Sequence, residues 1–421
     1  MLTASKNSLF QKNSFYPAWI WVSGAIFYIY QYILRMSSSI MVDDLMHSFK
    51  IDASELAHLS SLSMYSYAIM QIPAGLLIDR LGIRTIQLFS ISMCLSGTSL
   101  FIASHQLWVA ELGRVLIGIG GSSAFICINK ISCEYFPPLR RSFLIGLALA
   151  AGTVGAYSGS NIIAFFIKTI SWQKILFYLN FFGIFSFLLS WFFIPSRSSQ
   201  KYKNSSLFSE LMRLTFMKEM WIYSIIALGV YLCMSVIADL WGISYIINRF
   251  NVEKQLAANI VSLMYIGTCL GSLILSFLAD YFQNKLFFIK YSTYALFFCT
   301  GILIFCPLIH LFLLSLLFLI IGFLCGSTIL CYSRISEYVP QKTIATTTGF
   351  MNCIVMLSGA WIAEKVGHLL DFFWKGALNP NGTRWYSIEN YQKSLSLILI
   401  VMVFSVISTF FMNQDRPVLK Q

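Results

Sequence analysis

The sequence predicts an all-α polytopic membrane protein with twelve transmembrane helices in two pseudo-symmetric six-helix bundles. Three observations predict it. Of 421 residues, 57% are hydrophobic and only 11% charged, where a soluble globular chain has about 25% charged residues. The apolar residues gather into runs close to the ~20 residues a helix needs to cross the hydrocarbon core. A pattern of residues that follows the fourth run also returns after the tenth.

In chain order the runs are Trp19–Met41, Leu56–Ile78, Thr85–Ala103, Leu107–Cys133, Ser142–Ile167, Ile175–Ile194, Met220–Ile246, Leu256–Phe282, Leu286–Leu308, Leu311–Tyr332, Ile344–Leu370 and Tyr391–Met412. The first flows into further spans with no small-residue cleavage site after it, so it is expected to stay in the mature chain. The acidic "VDDLMHSFKIDASE" separates it from the second. Arg80 and Arg84, Arg140 and Arg141, Arg197 to Lys218, Lys285, Lys342, Arg416 and Lys420 fall in alternate connections, which places both termini on the cytoplasmic side of a bacterial inner membrane. Trp19, Trp21, Trp108, Trp172, Trp374 and Trp385 stand near span ends, where indoles anchor at the interface. The polar "PSRSSQKYKNSSLFSELMRLTFMK" joins two halves, giving an N-terminal bundle (1–195), a linker (196–218) and a C-terminal bundle (219–421).

Composition excludes several classes. The net charge of +12 reads as cytoplasmic loop charge, not as a nucleic-acid surface. Ten cysteines lie singly in apolar segments, without C-x-x-C or Cys/His spacing, so neither a disulfide framework nor a metal site is expected. No G-x-x-x-x-G-K-[ST], H-E-x-x-H or G-x-S-x-G occurs, so no enzyme and no cofactor are expected. The expected partners are a small-molecule substrate, protons and the lipid bilayer, with the chain a monomer. Asn381 in "NGT" has the form of a glycosylation acceptor.

The repeat is specific. Glu134, Tyr135, Pro137 and Gly146 recur as Glu337, Tyr338, Pro340 and Gly349 at one offset, and Asp79 and Arg84 have weaker counterparts in Asp280 and Lys285. Two related halves imply a cleft between them near the midplane. "GLLIDRLGIR" resembles the signature loop of the major facilitator superfamily through Gly75, Asp79, Arg80, Gly82 and Arg84, and "RVLIGIGGS" resembles its fourth-span pattern through Arg114, Gly118 and Gly120. The resemblance implies a transporter working by alternating access, with a cytoplasmic gate in the signature loop and further gating residues at Glu134, Arg140 and Glu337. In that reading the Asp79 carboxylate faces the positive N-terminus of a helix such as the one starting near Ile344; the alternative is an ordinary turn broken by Gly82. The small-residue series Gly152, Gly155 and Gly159 suits close helix approach. It resembles the fifth-span motif of drug/proton antiporters, but Ala156 stands where those carry proline, which points away from efflux.

An arginine near the middle of a span costs about 2.5–3.5 kcal/mol on insertion scales, so Arg35 requires a polar neighbourhood. Tyr28, Gln31, Arg35 and Ser38 share one stripe of the first helix. Arg35 and Arg114 lie at similar heights, on the order of 8 Å outside the midpoint, and two guanidinium forks there suit an anion. The competing reading pairs Arg114 with Glu111, and Arg35 with Asp43, Asp44 or Glu364, to organise the bundle. Tyr65, Tyr157, Asn161, Tyr265 and Asn352 complete the candidate substrate-binding set. Asp239 and Glu364 are the candidates for proton coupling, because a desolvated carboxylate holds and releases a proton as its exposure alternates. The expected activity is proton-coupled uptake of a small anionic or zwitterionic solute: an amino acid, an organic anion or a carboxylate siderophore. Efflux of drugs or metabolites, and a non-transporting receptor on the same scaffold, remain the alternatives.

Overall fold

The computed structural model describes residues 16–51, 53–104, 106–167, 169–196, 212–306, 310–377 and 385–412. Most of the linker, the Asn381 sequon and both chain ends lie outside them. The described residues are almost wholly helical. In order they form α1 (Tyr16–Ile40), α2 (Val42–Phe49), α3 (Ala53–Leu81), α4 (Ile83–Ala103), α5 (Leu107–Gly121), α6 (Ala124–Tyr135), α7 (Pro138–Phe166) and α8 (Trp172–Phe193). There follow α9 (Lys218–Leu232), a π-helical segment (Cys233–Trp241), α10 (Gly242–Phe250), α11 (Lys254–Tyr281), α12 (Lys285–Phe305), α13 (Leu311–Cys325), α14 (Thr328–Ile335), α15 (Ile344–Phe372) and α16 (Ile388–Thr409).

These elements make the twelve spans expected. Eleven are long and apolar enough to cross a membrane by length and composition. The remaining one, α1, has 25 residues, about 37 Å at 1.5 Å per residue, and misses that count because polar residues such as Gln31 and Arg35 interrupt it. Three spans are less regular than the sequence suggests, the tenth parting at Gly326–Ser327. The fourth bends at Ser122–Ser123, where Gly120 lies against the Ser90 carbonyl and Ser123 Oγ donates to Ser90 Oγ at 2.7 Å. The seventh passes through the π segment, a local widening that recurs at functional positions.

The chain divides into two compact units. The first holds Met1–Arg141, Ala151–Met212 and Val339–Cys353. Its core joins Ile20, Ile78, Ile86, Ile126, Ile131 and Ala345, with a second cluster around Met41, Leu59, Phe101 and Trp172. Backbones meet where side chains are missing: a Cβ on Gly97 would lie 2.6 Å from the Gly113 carbonyl oxygen, and one on Gly113 would lie 2.7 Å from that of Gly97. The second unit holds Ser142–Ala150, Arg213–Tyr338 and Ile354–Gln421. In it Gly267, Gly271, Gly322 and Gly326 seat α11 against α13 in the same manner. Large side chains such as Phe89, Phe192, Phe298, Phe312 and Phe404 point outward on both units. In water that would be an aggregating surface; in lipid it matches the solvent.

Candidate functional site

In the first unit, α1 brings Tyr28, Gln31 and Arg35 to one face. Tyr28 and Gln31 are buried, and Arg35 is half-buried with its guanidinium carbon 5.9 Å from the ring centroid of Tyr67 on α3, within cation–π range. Tyr28 Oη donates to Tyr32 Oη at 3.3 Å, the two rings edge to face at 4.9 Å. Asn352 is buried at the near end of α15. Gly152, Gly155 and Gly159 of α7 let α1 lie close, facing Tyr28, Ile29 and Ile33 in turn. A Cβ on Gly121 would strike Gln31, so the bend in the fourth span makes room for that amide, and Gln31 Oε1 has no hydrogen-bond partner among the described residues. A cation, three phenols and the Gln31 amide therefore gather on α1 and the neighbouring α3.

Arg114 is placed differently. Its side chain is 2% exposed, and Nη2 donates to Ser63 Oγ at 2.8 Å and to the Ser60 carbonyl at 3.5 Å, both on α3. Arg114 is thus packed between α5 and α3, whereas Arg35 is half-buried. Tyr65 and Tyr157 are exposed, at 57% and 74%. The Asn161 side chain lies outside the described residues.

In the second unit, Asp239 stands exposed on the π segment and its Oδ1 accepts from Tyr265 Oη of α11 at 2.5 Å. Ser235 and Tyr231, one and two turns earlier, rest on Gly359 of α15. Glu364 is likewise exposed on its helix, 3.3 Å from His368.

The signature loop has full geometry inside the first unit. Asp79 Oδ1 accepts from the Ala345 amide at 3.2 Å, and Oδ2 accepts from the Thr346 amide at 2.7 Å and the Thr346 hydroxyl at 2.6 Å. The carboxylate caps the start of α15, where unpaired amides gather. Gly75 has no Cβ because the Ala345 carbonyl occupies its place, and Gly82 turns the chain with φ 86°, a conformation side chains disfavour. Arg84 lies 4.7 Å over the Trp191 ring, Arg80 is half-buried and Arg140 exposed.

Lys130 on α6 escaped sequence reasoning. Its ammonium is 2.6 Å from Asp79 and 3.7 Å from Glu134, and all three side chains are 5% exposed or less. A lysine one turn before a glutamate, deep in an apolar helix, was the available signal. The repeat builds the same lock in the second unit with different parts. Asp280 accepts from the Phe143 amide at 3.0 Å, the counterpart of Thr346. The ammonium comes from Lys285 of α12, 2.8 Å from Glu337 and 3.7 Å from Asp280. It also donates at 2.8 Å to Ser333, which occupies the position equivalent to Lys130. Arg334 joins Glu337 as well. Burial pushes the Glu337 carboxyl up, but Lys285 and Arg334 outweigh it and hold it below the usual carboxylate range.

Among the described residues no group of three or more His, Cys, Asp or Glu is arranged to hold a metal ion.

Comparison with known proteins supplies the family. The model of the Major Facilitator Superfamily matches residues 20–363. The uncharacterized transporter YybO of Bacillus subtilis is 30% identical over 36% of this chain, a match that spans about a third (34%) of that relative's length. The hexuronate transporter of the same organism is 22% identical over 84% of this chain and 86% of its own. Among solved structures, the transporter FucP in its outward conformation superimposes with a TM-score of 0.74 at 14% identity, covering 94% of this chain and 99% of that one, a likeness of fold alone.

Proposed function

The chain belongs to the Major Facilitator Superfamily, and we propose that it is a transporter that takes up a small anionic or zwitterionic solute across a bacterial inner membrane, both termini cytoplasmic, driven by protons. The observation that carries the reading is Arg35. It places permanent positive charge beside Tyr28, Tyr67 and the unsatisfied Gln31 carbonyl oxygen, and a guanidinium fork matches a carboxylate. A hexuronate is itself a carboxylate, and its transporter aligns with most of this chain, which supports the same substrate class. Asp239, steadied by the Tyr265 hydroxyl, is the group offered for the proton. In this reading the chain works by alternating access, its N-terminal and C-terminal bundles joined by the linker at 196–218.

The test is uptake of radiolabelled solutes into proteoliposomes: hexuronates, amino acids, dicarboxylates and citrate-type siderophores, under an imposed pH gradient. One or more carboxylates should accumulate in the wild type, while Arg35→Ala reduces uptake about 100-fold or more and leaves a neutral analogue less affected. Full uptake of the carboxylate by Arg35→Ala excludes the assignment.

A further inference from the structure

Among the described residues of the first unit, two glutamines are buried with amide atoms left over. Gln71 on α3 is 0% exposed and Gln31 on α1 is 4% exposed. Neither Oε1 nor Nε2 of Gln71, nor Oε1 of Gln31, has a hydrogen-bond partner among the described residues. The two side chains belong to one level. Ile20 near the start of α1 shares a core cluster with Ile78 near the end of α3, and Met41 just beyond α1 shares another with Leu59 near the start of α3, so the two helices run in opposite directions. In that register Arg35 stands over the Tyr67 ring. One turn from Arg35 toward the start of α1 is Gln31, and one turn from Tyr67 toward the end of α3 is Gln71, an equal step of about 6 Å along both axes. A Cβ on Gly121 would strike the Gln31 side chain, and one on Gly349 would strike the Gln71 carbonyl and meet Ile126. Neighbouring helices thus close tightly over both residues. Buried amide atoms without partners cost stability that apolar side chains of the same size would not, which calls for a ligand.

We propose that Gln31 and Gln71 form a hydroxyl-binding subsite, so that the solute is a hydroxy acid; this rests on the assignment of its carboxylate to Arg35. Donor and acceptor counts select the group. A hydroxyl oxygen accepts from Gln71 Nε2 while its proton goes to Gln31 Oε1. A carboxylate brings acceptors only and sets its charge against two carbonyl oxygens. An ammonium brings donors only and leaves Nε2 unpaired. The step of about 6 Å from the Arg35 level is one that a small hydroxy acid spans. A water molecule has the same donor and acceptor capacity, so experiment must separate it from a solute hydroxyl.

Full-length protein in detergent serves for the measurement, with affinity read from the rise in melting temperature as ligand is added. The probes are matched pairs that differ by one hydroxyl: malate and succinate, citrate and tricarballylate, serine and alanine. For at least one pair the hydroxy member should bind the wild type about tenfold or more tightly than its counterpart. Gln71→Met and Gln31→Met hold side-chain volume nearly constant and remove the unpaired atoms. Each should cut that preference to about twofold or less, because the hydroxyl then lacks a partner. Gln71→Met should also melt, without ligand, no lower than the wild type. Equal binding within every pair overturns the proposal and leaves the Arg35 assignment standing, whereas a wild type that binds no carboxylate overturns both. A lower ligand-free melting temperature for Gln71→Met shows that water or packing satisfies the amide, and it overturns the proposal as well. The comparison within pairs needs only the wild type, so it decides even where a variant cannot be purified.

Discussion

Arg35 and Arg114 show how far one residue's meaning depends on what surrounds it. Both are isolated charges in apolar helices, so the sequence ranks them alike, and their heights match. Their fates differ because Arg114 faces the hydroxyl of Ser63 at 2.8 Å while Arg35 faces aromatic rings at the edge of exposure. No periodicity argument reveals which neighbour a side chain meets on another helix. Lys130 makes the same point from the opposite direction. Read along the chain it is one more lysine toward a helix end; in space it compensates two buried carboxylates. Lys130→Met should therefore destabilise the protein by about 3–5 kcal/mol, the usual cost of stranding buried charge, seen as a lowered melting temperature in detergent. Adding Glu134→Gln should recover part of the loss.

The helices were the most legible elements, since twelve runs of hydrophobic residues correspond to twelve spans with ends mostly within a few residues. The bend at Ser122–Ser123 had a visible cue in "GIGGSS". The π segment had none, because one extra residue per turn leaves hydropathy unchanged. The cap on α15 was foreseeable from the position of Asp79; the cap on α7 by Asp280 follows only once the repeat is extended to a loop that has lost most of its motif. Acid sensitivity belongs at this scale. The Glu337 carboxyl is depressed in the folded protein by Lys285 and Arg334, despite its burial. Its stabilisation is therefore complete above the unfolded value of about 4.3 and lost as pH falls through the lower folded value. Glu337→Gln should lower the melting temperature at pH 7, and the gap from wild type should narrow as the medium is acidified below about pH 4. A constant gap across that window would locate the residue's contribution elsewhere.

For the whole molecule, the repeat provides the strongest inference and transport the sternest test. Its signal survived in only a few residues, enough to establish two related halves but insufficient to identify the cargo. The candidate substrate contacts proposed above are distributed over several spans, which a repeat of a few residues does not specify. Coupling also belongs here, because it concerns the entire cycle. Asp239→Asn should abolish accumulation against a gradient while leaving counterflow exchange within about twofold, measured in proteoliposomes with and without an imposed pH difference. Accumulation that persists would remove Asp239 from the proton path.

One detail of the paired locks bears on how freely such a molecule can be rewired. The ammonium comes from a different helix in each lock: Lys130 supplies it in the first and Lys285 in the second, where Ser333 stands at the position equivalent to Lys130. What the two locks share is neutralised acid, whichever backbone delivers the cation. Lys285→Ser should thus cripple stability, and Ser333→Lys added to it should restore most of the melting temperature, giving the second lock the wiring of the first.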